Sequence, residues 1–250
     1  MIPDRLHHTL RQLRLSGLRQ TLDVRVQEAA ANQLSHLEFL ELILQDEQLI
    51  RHQRQLRRRT QAARFRDQRT LDDFDFTFNP GVDRRLIFEL ATGQFVRDHR
   101  DVLLLGPPGT GKSHLAQALG LAAIHQGFTV FYRSIFDLAQ DFQTDEAARG
   151  QAQTRHAYLG AELLIIDDLG MKELPRAAGE QLFEVIMRRH GLRATIMTSN
   201  RPVEDWGKLL GDHTTASAIL DRFLAAAEVI TLAGRSYRLK DRACKRDDPK

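Results

Sequence analysis

Gly106-Pro107-Pro108-Gly109-Thr110-Gly111-Lys112-Ser113 carries the clearest chemistry in this 250-residue chain. Its spacing fits G-x-x-x-x-G-K-[ST], a pattern that wraps main chain around phosphate. The glycines let successive N–H groups turn inward onto anionic oxygens. Pro107 and Pro108 have no N–H, so the donors run from Gly109 to Ser113. The Lys112 ammonium would meet the β- and γ-phosphates, and the Ser113 hydroxyl would ligate Mg²⁺. A helical stretch opens at His114 and adds the positive end of its dipole. Gly106, Gly109, Thr110, Gly111, Lys112, Ser113 and His114 are thus expected to bind nucleotide, with ATP and Mg²⁺ as cofactors. The alternative is a Gly/Pro-rich turn that binds nothing. An apolar run before the motif and a helical one after it speak against that.

Two more polar clusters sit at the ends of apolar runs. Leu163-Leu164-Ile165-Ile166 leads into Asp167-Asp168. Asp167 would hold Mg²⁺, through water, and Asp168 would orient or deprotonate the attacking water. A plain core strand ending in an acidic turn is the competing reading. Ile196-Met197-Thr198 leads into Ser199-Asn200. The Asn200 amide could bond the γ-phosphate or the attacking water, or simply cap the turn before Pro202. The ten histidines lack ligand spacing, so no metal beyond Mg²⁺ is expected.

The elements that must position these groups can be read from periodicity. Val102–Gly106, Thr129–Arg133, Glu162–Asp168, Ala194–Asn200 and Glu228–Leu232 are short buried-type runs with helical segments between them. That alternation predicts an α/β domain, a parallel sheet covered on both faces, over residues 70–250. Residues 1–69 differ: they hold one glycine and one proline, and their apolar residues recur at helical spacing. Three or so helices are expected there, one starting at a Ser35/Glu38 capping box.

The end of this helical domain is basic. Arg51 to Arg69 carries eight arginines, including Arg54, Arg57, Arg58, Arg59 and Arg64, against the single acid Asp67. Such a segment could neutralise the phosphates of duplex DNA, or pair with Glu41, Asp46 and Glu47. A linker with Phe74, Phe76 and Phe78 follows, read either as an adenine cover or as a short edge strand. The net charge is only +3, so any electrostatic message comes from clustering. The single cysteine, Cys244, permits no internal disulfide. No secretory signal or membrane span is legible. A soluble, cytoplasmic protein is expected, with no membrane partner.

In order and spacing, GPPGTGKS, LLIIDD and TSN resemble the AAA+ P-loop ATPases. The resemblance implies a five-stranded parallel sheet in the order 5-1-4-3-2. It also implies a sensor-1 role for Asn200 and an arginine finger at Arg222, which is otherwise a surface or ion-paired arginine. More of the chain resembles the IstB-type transposition helper ATPases of the IstB/DnaC-like branch. The matching pieces are Leu13–Leu22, His36–Arg54, Ala62–Phe76, Leu103–Ala116 and Gly234–Leu239. The resemblance implies ATP-dependent homo-oligomerisation on duplex DNA and stimulation of an IstA-like transposase. A DnaC-like replicative helicase loader is the alternative; a small-molecule P-loop kinase and a non-hydrolysing ATP-gated clamp are more distant ones. In this branch an inserted helix faces a central channel, which would bring Arg149 and Arg155 toward DNA. Two departures stand out. Asp168 occupies a position where AAA+ proteins usually carry glutamate. The chain also runs only to Lys250, so a reduced lid is expected, with ITLAGRSYRL forming a strand hairpin rather than Arg235 or Arg238 serving as sensor 2.

Overall fold

The computed structural model describes residues 3–148, 152–171, 174–206, 221–225 and 227–237. It comprises two compact units, Met1–Arg58 and Arg59–Lys250.

The first unit holds α1 (Asp4–Gln12), α2 (Ser16–Ala31) and most of α3 (His36–Ala63). Its small core joins Leu10, Leu18, Leu22 and Ile43, with Leu15 and Phe39 packed against them. The capping box forms as the sequence suggests. The Ser35 N–H donates to Glu38 Oε2 at 2.7 Å, and the Glu38 N–H donates back to Ser35 Oγ at 3.3 Å. Buried Glu47 accepts the N–H groups of Gly17 and Leu18, orphan donors at the start of α2. Its other oxygen accepts from Arg51 Nε at 2.6 Å.

The second unit is built on five parallel strands: β1 (Asp101–Leu105), β2 (Val130–Ser134), β3 (Leu163–Leu169), β4 (Ala194–Ser199) and β5 (Ala227–Thr231). Their order is β2-β3-β4-β1-β5, the order that the resemblance implies. β4 thus lies between the strand that enters the phosphate loop and the strand that carries Asp167. Helices α4 (Arg84–Ala91), α5 (Gln94–Arg97), α6 (Lys112–His125), α7 (Ile135–Ala148), α8 (Ala152–Gly160) and α9 (Arg176–Arg189) complete it. The central strands are continuously apolar because both faces are covered. Leu163, Leu164, Ile165 and Ile166 are all fully buried.

The compact units divide within α3, upstream of the acidic, phenylalanine-rich linker. Side chains explain this. Ala63 is buried, and Phe65 packs on Tyr132 with ring centroids 6.0 Å apart. The Asp67 N–H donates to Gln117 of α6 at 2.8 Å. The end of the basic helix therefore belongs structurally to the sheet unit.

Among the described residues, the second strand of the hairpin expected from ITLAGRSYRL does not form. After β5 the described chain turns back over the phosphate loop. The Leu232 N–H donates to Leu105 O at 2.7 Å and the Tyr237 N–H to Gly109 O at 2.9 Å. The Gly109 carbonyl of the phosphate loop takes the Tyr237 N–H in place of a strand partner. Arg238 lies outside the described residues.

Candidate nucleotide site

The site forms at the carboxyl ends of β1, β3 and β4, the edge at which open α/β sheets bind ligands. Gly106 follows β1, and its N–H donates to Ser199 O at 3.2 Å. A side chain there would collide with the Leu232 carbonyl, 2.1 Å from an ideal Cβ. Gly111 sits at φ 100°, left-handed space where glycine alone is comfortable, and caps α6. Each glycine thus answers a backbone requirement of the loop.

Lys112 and Ser113 open α6 beside the loop. Lys112 Nζ donates to the carbonyls of Gly106 (2.7 Å) and Pro107 (2.8 Å), so the ammonium already stands across the loop mouth. The loop is held from outside as well. Buried Asn79 donates its amide to Thr110 O at 3.0 Å. His114 Nε2 donates to Thr70 O at 2.8 Å, tying the linker to α6.

Asp167 ends the apolar part of β3 and is 1% exposed. Its Oδ1 accepts from Ser113 Oγ at 2.9 Å and from Thr198 Oγ1. Its Oδ2 accepts from Tyr132 OH at 2.6 Å. A Ser113 hydroxyl that gives its hydrogen to Asp167 keeps lone pairs for a cation. A hydroxyl and a carboxylate beside a phosphate loop suit Mg²⁺, which keeps waters and takes its remaining ligands from phosphate. The residues present therefore fit the ion.

Asp168 adopts φ 62°, a left-handed conformation uncommon for a residue with a side chain. Its N–H donates to Thr198 Oγ1 at 3.0 Å. The twist turns consecutive carboxylates apart: Asp167 inward to the hydroxyls, Asp168 onto the cleft wall. Asn200 follows β4 on the same wall, its Nδ2 against Met171 Sδ at 3.0 Å.

Gly109–His114, Asp168 and Asn200 line one cleft of about 400 Å³. The sequence placed these residues on three separate segments; the sheet order brings them together. Gly106 and Asp167 lie just behind the cleft surface. Phe74 and Tyr237 also line it. Phe74 makes edge contacts with His114 and Phe76, and Phe78 with Tyr237. The linker forms turns, not an edge strand. Asp73, on the rim, is held below the usual carboxylate range by hydrogen bonds from the Thr70 side chain and backbone.

The remaining candidates lie elsewhere. Arg222 is exposed and outside the cleft lining, while its neighbour Phe223 is fully buried in the core. Arg54 donates to Ser16 Oγ. Arg57, Arg58 and Arg64 are exposed and Arg59 is half-buried; none of these four forms an ion pair with the described residues. The Arg64 guanidinium lies 5.9 Å from the Phe131 ring centroid. Arg155 is paired to Glu184 at 2.7 Å, and Arg149 lies outside the described residues. Sequence reasoning missed Tyr132, Thr198 and Asn79. A lone hydroxyl-bearing ring in the apolar run TVFYR was the only available sign of the first.

Comparison with known proteins follows the same lines. The profile of IstB-like ATP binding proteins matches residues 8–245. A protein of insertion sequence IS21 from Pseudomonas aeruginosa, named for ATP binding, is 38% identical over 237 residues, covering 93% of this chain and 88% of its own. Its counterpart from insertion sequence IS5376 of Geobacillus stearothermophilus is 31% identical over 247 residues, covering 99% and 98%. Among solved structures, DnaI superposes with a TM-score of 0.57 at 18% identity, covering 69% of this chain and 93% of its own. AMPPCP-bound DnaA from Aquifex aeolicus gives 0.56 at 22% identity, covering 73% and 56%. These two likenesses concern the fold alone.

Proposed function

The chain belongs to the family of IstB-like ATP-binding proteins, and on that premise we propose that it is the ATP-dependent, DNA-binding helper ATPase of an insertion sequence. In this proposal it oligomerises on duplex DNA and stimulates a partner transposase, in the cytoplasm. The observation that carries it is the convergence of Lys112, Ser113, Asp168 and Asn200 at one cleft, with Asp167 bonded to Ser113, in a chain that also presents arginines without acidic partners among the described residues.

The roles follow from position. Backbone N–H groups from Gly109 to Ser113 cradle the phosphates, with the N-terminus of α6 behind them. Lys112 leaves the Gly106 and Pro107 carbonyls for phosphate oxygens. That exchange replaces neutral acceptors by charged ones and strengthens each hydrogen bond. Mg²⁺, when bound, neutralises charge developing on the β- and γ-phosphoryl oxygens; Ser113 and Asp167 would hold it. Asp168 accepts a hydrogen bond from the attacking water. It is one methylene shorter than glutamate, which suits slow turnover in a protein whose ATP-bound assembly is the working state. The Asn200 amide steadies the γ-phosphate or that water. Phe74 covers the adenine. Arg222, exposed on a segment anchored by Phe223, reaches the ATP of a neighbouring subunit. A guanidinium there would stabilise the transition-state charge.

Residues 1–69 contact DNA, neighbouring subunits and the transposase. Arg54, Arg57, Arg58, Arg59 and Arg64 engage the DNA backbone, with Arg149 and Arg155 as further contacts. Little base specificity is expected, because phosphate contacts carry no sequence information.

ATP turnover with and without duplex DNA tests this. Stimulation by DNA together with ATP-dependent assembly is expected. A monomer at all concentrations, indifferent to DNA, would point to a small-molecule kinase instead. Parallel pull-downs against transposase and replicative helicase separate the helper from a helicase loader.

A further inference from the structure

Asp167 is gripped by three neutral hydroxyls, and one of them, that of Tyr132, belongs to no recognised nucleotide motif of this sequence. Ser113 and Thr198 share Oδ1, while Tyr132 alone holds Oδ2. Tyr132 belongs to β2, which pairs with β3 so that Ser134 lies opposite Asp167. Two residues earlier on the same face, Tyr132 reaches the carboxylate diagonally. It is 2% exposed, and its ring abuts Phe65. Its hydroxyl is a neutral donor, a phenol that stays protonated near neutral pH.

We propose that Tyr132 is a positioning residue that fixes the Asp167 carboxylate for Mg²⁺ at the nucleotide site. This rests on the ATPase reading above and extends it to a residue outside the motifs. A buried carboxylate with Oδ2 unbonded would rotate toward other donors, and that removes an oxygen from the cation's reach. A lysine or arginine could also hold Oδ2, but its charge would oppose the cation. A phenol orients the carboxylate while leaving the net negative charge in place. Tyr132 touches neither nucleotide nor reacting atoms, so its effect passes entirely through Asp167.

Nucleotide binding at graded Mg²⁺ separates this role from simple support of the fold. The probe is a fluorescent ATP analogue, titrated in EDTA and then in rising Mg²⁺, on the full chain and on Tyr132→Phe. Tyr132→Phe should match wild type in EDTA and need roughly tenfold more Mg²⁺ for half-maximal enhancement, the scale of one hydrogen bond to a charged group. An equal Mg²⁺ midpoint in both proteins overturns the role of Tyr132 while leaving the site intact. A wild type whose affinity ignores Mg²⁺ overturns the site reading itself, and this inference with it. If Tyr132→Phe does not fold, near-ultraviolet absorbance of a Tyr237→Phe chain serves instead. Adding Mg²⁺ to its nucleotide complex should shift the tyrosine band, and a band that does not move overturns the proposal.

Discussion

In the proposed function the phosphate loop and the arginine run both engage phosphate, yet they are built in opposite ways. Around the loop, Lys112, Asp167 and the Asn79 amide nitrogen are tied to fixed partners. Lys112 is bonded to two carbonyls, Asp167 to three hydroxyls, and Asn79 to the loop itself. Along the run, Arg57, Arg58 and Arg64 stand in solvent without acidic partners among the described residues. The first arrangement gives geometric selectivity for one ligand shape, because preorganised donors lose little freedom on binding. The second gives long-range attraction to any polyanion, screened by salt. On the proposed function, the molecule would have a precise phosphate site for a small nucleotide and a permissive one for a long duplex.

Breaking the precise site should give the largest effect. Lys112→Ala removes charge-assisted bonds to two phosphates. Nucleotide affinity is expected to fall roughly a thousandfold by calorimetry, with the fold retained. Next, Asp168→Asn should leave nucleotide affinity intact and lower kcat about a hundredfold, the scale of a lost general base. Wild-type turnover in Asp168→Asn would remove that residue from the chemistry.

The permissive site is broken by degrees. Arg57→Ala, Arg58→Ala and Arg59→Ala combined should flatten the log–log salt dependence of duplex binding by about 2.7, near 0.9 for each phosphate released. Nucleotide affinity should not move. An unchanged slope would leave the run as a solvated helix face.

The smallest effect contrasts buried charge with exposed charge. Asp101, at the start of β1, is pushed up to about 7 by burial, only partly offset by the Thr195 N–H and by Arg189. Folding therefore favours the protonated form. The stability this contributes is complete below pH about 4 and is lost as pH rises through about 7. Asp101→Asn keeps an acceptor for the Thr195 N–H and should remove that decline. Thermal melts of both proteins from pH 4 to 8 read the difference.

What was legible in the sequence follows the same division. The loop could be read because its demands are local: glycine where φ is positive, lysine and serine at the first turn of a helix. The sheet order followed from a family resemblance, and the pairing of β4 between β1 and β3 agrees. Tyr132 was not legible as a partner of Asp167, since that contact depends on the register of two strands. Asn79 was visible only as part of a turn, because its bond to Thr110 spans 31 residues. ITLAGRSYRL was read as a strand hairpin. Its Tyr237 N–H instead finds the Gly109 carbonyl, a tertiary acceptor that no local pattern announces.

The most direct test follows a labelled duplex by fluorescence anisotropy, with and without a non-hydrolysable ATP analogue, between about 50 and 200 mM salt. Tight binding only with nucleotide is expected, weakening about a thousandfold across that range if roughly six phosphates are engaged. Equal affinity without nucleotide, or affinity indifferent to salt, would contradict a DNA-binding ATPase built from these two phosphate sites.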